Sequence, residues 1–154
     1  MKSFLDFQHE IKNPVQLQES VEPDSVQLLI GPTEYNLELA DTPDKITKGL
    51  SGRYDIPRKS GMIFVMPEEK TQDFWMRGCL TNMDALFLNS DGEIVNMHRM
   101  IAETPRHQLE SQQQYENRLR LYSSEKPAKY VIEIPAGDIT RLGLSIGETV
   151  DIDI

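Results

Sequence analysis

Between Gly61 and His98 the chain carries four apolar stretches of strand length, GMIFVM (61–66), TQDFWM (71–76), DALFLN (84–89) and EIVNMH (93–98). Each is rich in branched and aromatic residues, which fit a pleated, half-buried surface. The Asp91-Gly92 pair between the last two is a tight-hairpin signal. A run of short antiparallel strands is therefore the first constraint on the fold.

The flanking segments extend it. VQLLI (26–30) and YNLELA (35–40) surround Gly31-Pro32, and the second alternates apolar and polar residues with the two-residue period of a strand, so an opening hairpin is expected. In DTPDKITKGLSG, Thr42 can cap free N–H groups, Pro43 suits the first helical turn, and Gly49 or Gly52 can end a short helix. AKYVIEI (128–134) and ETVDIDI (148–154) read as closing strands, with one helical turn and a glycine-marked corner between them. Residues 102–124 differ. They hold three consecutive glutamines and place Tyr115, Leu119 and Tyr122 at helical spacing, which predicts a surface helix over 108–121 with a Glu116–Arg120 ion pair. A connection of that length is functional or mobile. The expected fold is mainly β: a single-domain antiparallel β-sandwich or small barrel with two or three short helices. Residues 25–154 form the domain and 1–24 a polar N-terminal arm, in a chain of 154 residues that holds enough apolar and aromatic side chains for one core.

The net charge of −9 disfavours the phosphate-neutralising attraction behind nucleic-acid and anionic-membrane binding, so neither is an expected partner. Cys79 is the single cysteine, no paired Cys or His spacing suggests a metal, and no cofactor is expected. With no apolar stretch of signal-peptide or membrane-span length, the expected location is cytoplasmic.

Within FWMRGCLTNMD (74–84), alternation puts Trp75 and Arg77 on one face and Phe74 and Met76 on the other. Trp75 and Arg77 can stack on a planar ligand or grip a carboxylate; equally, Trp75 can close the end of the core while Arg77 snorkels to solvent. Asp84, opening an apolar strand, reads best as a structural cap. Glu133, between isoleucines, reads as facing outward beside Val131 and Lys129; were that face covered, the carboxylate would require Arg53, Arg77 or Arg99. Cys79 reads as a small buried hydrophobe, and His98 as a hydrogen-bonded structural residue that could otherwise be a base. Ser123 and Lys126 have the Ser-x-x-Lys spacing, but Pro127 disfavours the helix on which that pair works.

From about Tyr35 to Asp151 the order of motifs resembles the domain of unknown function 192 family. The series comprises Gly49, Leu50 and Arg53; Gly61, Met62 and Phe64; Trp75, Met76 and Arg77; Asp84; Asp91 and Gly92; Pro127 to Glu133 with Pro135 to Gly137; and Leu142 with Gly143. No single piece is specific, whereas the ordered series is. The resemblance implies a compact, mostly antiparallel β domain and lends no activity, cofactor or catalytic residue. Because the pattern contains all five, Arg53, Trp75, Arg77, Asp84 and Glu133 are the candidate binding residues, gathered at one rim. The resulting expectation is a non-enzymatic binding module for a small polar ligand or a peptide end. Two alternatives stand beside it: a hydrolase using Asp84, Glu133 or His98, which needs two of them within hydrogen-bond reach, and an assembly module that engages a protein partner through residues 102–124.

Overall fold

The computed structural model describes residues 24–154; the expected arm, apart from Asp24, lies outside the described residues. Strands β1 (Ser25–Ile30) and β2 (Thr33–Ala40) form the opening hairpin, paired from Ser25–Glu38 to Ile30–Thr33. Pro32 cannot take a positive φ, so Gly31 takes it at +58°, as in a two-residue turn with glycine first.

Helix α1 (Pro43–Lys48) begins as its sequence indicates, with the Thr42 hydroxyl accepting from Lys45 N at 3.3 Å and Gly49 ending it at φ +48°. It leads into β3 (Ser60–Lys70). Further along are β4 (Asp73–Phe74), β5 (Met83–Leu88), β6 (Ile94–Met100), α2 (Gln112–Arg118), β7 (Tyr122–Ser123), β8 (Ala128–Pro135) and α3 (Asp138–Leu142). The larger sheet has six strands in the order β1-β2-β3-β8-β5-β6, and β4 and β7 pair separately.

The protein is thus a mainly β single domain, but its sheet is mixed, where a wholly antiparallel one was expected. Strands β2 and β3 run parallel, from Asn36–Ser60 to Ala40–Phe64, while all other named pairings are antiparallel. Residues 41–59, with α1 among them, supply the crossover of a dozen or more residues that parallel neighbours require.

Strands β5 and β8 lie inside the sheet, and the burial of consecutive residues along them shows that both of their faces are covered. The two-residue period then sorts the core. Met62, Phe64, Ala85, Phe87 and Val131 pack on one face, and Ile63, Leu86, Leu88, Ile132 and Ile134 on the other. Gly61 is required where β3 meets β8, because a Cβ there would lie 2.0 Å from the Glu133 carbonyl oxygen. Among the described residues, no helix is long and apolar enough to cross a membrane.

Three expected elements are shorter than the sequence suggests. The strand expected over 71–76 is only β4, because its partner β7 stops before the turn at Ser124, whose hydroxyl accepts from Gln72 N. The strand expected over 148–154 is reduced to one bridge, Glu93–Thr149; beyond Gly92 the opposing chain turns back into the β5–β6 hairpin and offers no further edge. The helix expected over 108–121 is α2, started by a capping box between Ser111 and Gln114. Tyr115, Leu119 and Tyr122 are buried, but Glu116 pairs with Arg77 at 3.2 Å instead of Arg120, which lies over the Tyr122 ring. Residues 103–118 are tied together by Arg118, which donates to both Glu110 oxygens and to the Thr104 and Pro105 carbonyls.

Candidate functional site

A cleft of about 260 Å³ opens between α1, β3, β4 and the turn after it. One wall is the end of α1, from Ile46 to Leu50; Phe64 and Met66 come from β3; Asp73, Phe74, Trp75, Arg77 and Cys79 come from β4 and the following turn. Glu133 of β8 completes the lining.

The cleft follows from local sequence. Phe64 projects on the same face as Met62 and Glu133 by alternation, and Phe74 meets it edge-to-face at 5.0 Å. That contact continues through Phe74–Phe87 (5.8 Å), Phe87–His98 (5.9 Å) and His98–Tyr122 (5.5 Å), an aromatic series that anchors the wall to the core. Met76 is buried while Trp75 stays 38% exposed, as alternation suggests, but the strand ends at Phe74, and Phe74 lines the cleft together with Trp75 and Arg77 where alternation puts it on the other face. Gly78, at φ +68°, turns the chain, its N–H donates to the Tyr115 hydroxyl at 2.9 Å, and the Cys79 N–H closes on the Met76 carbonyl.

Glu133 is 5% exposed. The outward-facing reading of this residue is therefore corrected: β8 lies between β3 and β5, its partners opposite Glu133 are Met62 and Ala85, and the face they share is covered. Nor, among the described residues, does a cation compensate it. Among the described residues no group donates a hydrogen bond to its carboxyl, and burial pushes the group up to about 8. Among the described residues no fully enclosed side-chain oxygen lacks a partner, so the Glu133 oxygens retain their access to the cleft. Burial, and then the charge of Glu133, pushes the neighbouring Cys79 thiol up to about 12.

Of the five candidate residues, Trp75, Arg77 and Glu133 line this cleft. The Arg77 guanidinium lies 6.0 Å from the Trp75 ring centroid and pairs with Glu116 of α2. Arg53 lies in an adjoining recess and pairs through both guanidinium nitrogens with Glu38 of β2, which holds the crossover loop to the sheet. Asp84 is on the opposite face of the sheet, since it precedes Ala85, the partner of Glu133. Its Oδ2 accepts from Gly137 N at 3.0 Å and Ile139 N at 2.9 Å, and its Oδ1 faces Arg99 Nε at 3.4 Å. It caps α3, whose own N-cap, Gly137, has no side chain to do so.

His98 Nε2 lies 2.8 Å from the Ser123 carbonyl oxygen; a carbonyl only accepts, so that nitrogen carries the proton. Among the described residues, no two of Asp84, Glu133 and His98 are hydrogen-bonded to each other, and no group of three or more His, Cys, Asp or Glu side chains converges as metal ligands would. The sequence reasoning missed the walls contributed by Leu50, Phe64 and Asp73. A continuous apolar run around Glu133, V-I-E-I, was the available signal that β8 is covered on both faces.

Residues 26–152 match the family model of DUF192, described as an uncharacterized ACR. No protein with a curated description matches. Among solved structures, a protein from Sinorhizobium meliloti 1021 described as a proposed transcription regulator is 27% identical, with a TM-score of 0.68 over 86% of this chain and 96% of that one. A protein of unknown function from Novosphingobium aromaticivorans DSM 12444 is 22% identical, with a TM-score of 0.66 over 87% and 95%, and speaks to the fold alone.

Proposed function

This chain belongs to the DUF192 family, and on that premise we propose that it is a non-enzymatic binding module whose α1–β4 cleft receives a small polar ligand or a peptide end. The observation that carries this reading is Glu133, a 5% exposed carboxyl without a protein partner among the described residues, lining a cleft with aromatic walls. A polar group left fully buried and unpaired costs about 1–3 kcal/mol, and Glu133, largely withdrawn from water with only the cleft open to its oxygens, bears part of that cost. A ligand that pairs it recovers that cost, whereas a purely structural role would be served as well by an apolar side chain.

The cleft's size points the same way. At about 260 Å³ it is smaller than the roughly 300–1,000 Å³ of drug-sized sites, which suits a small molecule or the tip of a chain. A hydrolase is less well supported: Asp84 and His98 are engaged elsewhere, so Glu133 has neither as a hydrogen-bonded partner. If the transcriptional role proposed for the Sinorhizobium protein extends to this chain, the net charge of −9 favours action through a ligand or protein over direct contact with DNA phosphates.

The test is a thermal-shift screen against amines, amino acids, neutral amides, carboxylates and short peptides, run in parallel on Trp75→Ala. A ligand of the cleft raises the parent's stability, by about 2.7 kcal/mol at a hundredfold excess over its Kd, and raises the variant's less. A screen in which no class stabilises the parent, or in which Trp75→Ala responds identically, overturns the reading.

A further inference from the structure

We infer that the cleft is a receptor for a primary ammonium group, with the Glu133 carboxylate as its acceptor and the aromatic wall around its carbon chain. The inference rests on the binding-module reading and names the ligand class of that site.

Three features of the lining favour a cation. Glu133 is a 5% exposed acid with no cation paired to it among the described residues, and a second carboxylate, Asp73, lines the same cleft. Phe64, Phe74 and Trp75 give the lining aromatic rings, which can attract a desolvated ammonium and accommodate the methylenes behind it. The one guanidinium in the lining, that of Arg77, is directed to Glu116 of α2 and leaves Glu133 free to take a cation from outside.

The remaining charged group of the lining is Lys48 of α1, an exposed residue that, among the described residues, makes no hydrogen bond or ion pair with Glu133. Proton linkage then gives the class a signature. Glu133 is protonated in the empty cleft below about pH 8, so an ammonium must displace that proton, and its affinity rises about tenfold per pH unit up to that point. An alkylammonium keeps its charge to about pH 10, as lysine does, and Cys79, pushed up to about 12, stays a thiol throughout. A neutral ligand that accepts a hydrogen bond from the protonated carboxyl has the opposite dependence, weakening above pH 8.

The experiment is an NMR titration of the full chain with n-butylammonium and, separately, n-butanol, at pH 6, 7, 8 and 9, repeated on Glu133→Gln. The expected result is that n-butylammonium shifts the Phe64, Phe74 and Trp75 resonances, tightens about tenfold per unit from pH 6 to 8, levels off above, and loses at least tenfold in affinity on Glu133→Gln. That variant keeps the neutral shape the parent has at pH 7, and its spectrum reports whether it is folded. Equal binding of n-butanol and n-butylammonium, or binding that weakens above pH 8, overturns the ammonium class while leaving the cleft a binding site. Failure of both probes to move any cleft resonance overturns the ammonium class; the binding-module reading then falls only if the broader ligand screen also fails. An end-blocked Ala-Lys-Ala peptide, set against its norleucine counterpart, separates the sources: tighter binding than n-butylammonium assigns a peptide side chain, and weaker binding assigns a free amine.

Discussion

Replacing Glu133 by Gln keeps the side chain's shape and removes its ionisation. In the folded protein the carboxyl titrates at about 8, above the 4.5 of an unperturbed glutamate, so between those values the folded state holds a proton that the unfolded state has released. The contribution to stability is therefore fully present below about pH 4.5, is lost as pH rises through about 8, and is constant above it. Glu133→Gln lacks that dependence. Urea midpoints are expected to coincide for parent and variant near pH 4, and the variant is expected to be the more stable at pH 8.5 by an amount on the order of a few kcal/mol. Parallel curves for the two proteins would mean that the carboxyl is not desolvated. The chemistry of the cleft and the cost of keeping it empty thus come from one atom group.

At the scale of elements, strand alternation decides which acids can meet. Asp84 and Glu133 face opposite sides of the sheet because Ala85, and not Asp84, stands across from Glu133. Asp84 serves α3 instead, and Asp84→Ala strips the acceptor from two backbone N–H groups and from Arg99. A loss of about 2–4 kcal/mol is expected from denaturant unfolding, with n-butylammonium affinity at the cleft unchanged; a stable variant with weakened affinity would place Asp84 in the binding machinery. The hairpins, the start of α1 and the burial of Tyr115, Leu119 and Tyr122 were legible in the sequence; Asp84 read both as a cap for its own turn and as a member of the binding rim, whereas its carboxylate caps the distant α3 from the opposite face of the sheet. The cleft was legible only in part. Trp75 and Arg77 were found through alternation along their own segment, a local property. The burial of Glu133 depends on the end of α1 and the β4 segment packing over its face of β8, and the separation of Arg53 depends on its pairing with Glu38, fifteen residues earlier in sequence. Both are set by long-range packing, in which the parallel β2–β3 pair and its crossover, announced by no short-range signal, take part.

For the molecule as a whole, the crossover from β2 through α1 to β3 carries the logic of the site. It brings the end of α1 over the edge of a covered sheet face, and the two-stranded β4–β7 unit closes the other side. The α2 segment is joined to that unit through Arg77–Glu116 and through the Tyr115 hydroxyl at Gly78 N, so the wall that holds Trp75 is braced from outside the cleft. A scaffold of this kind keeps the space in front of Glu133 open against the tendency of apolar walls to collapse. The account stands or falls on the state of that carboxyl. The most direct measurement is its side-chain carbonyl-carbon chemical shift, followed by NMR from pH 4 to 10 without and with n-butylammonium. A midpoint near 8 in the empty protein, displaced downward by the amine, is the predicted result; a midpoint near 4.5, or one near 8 that the amine leaves in place, would contradict it.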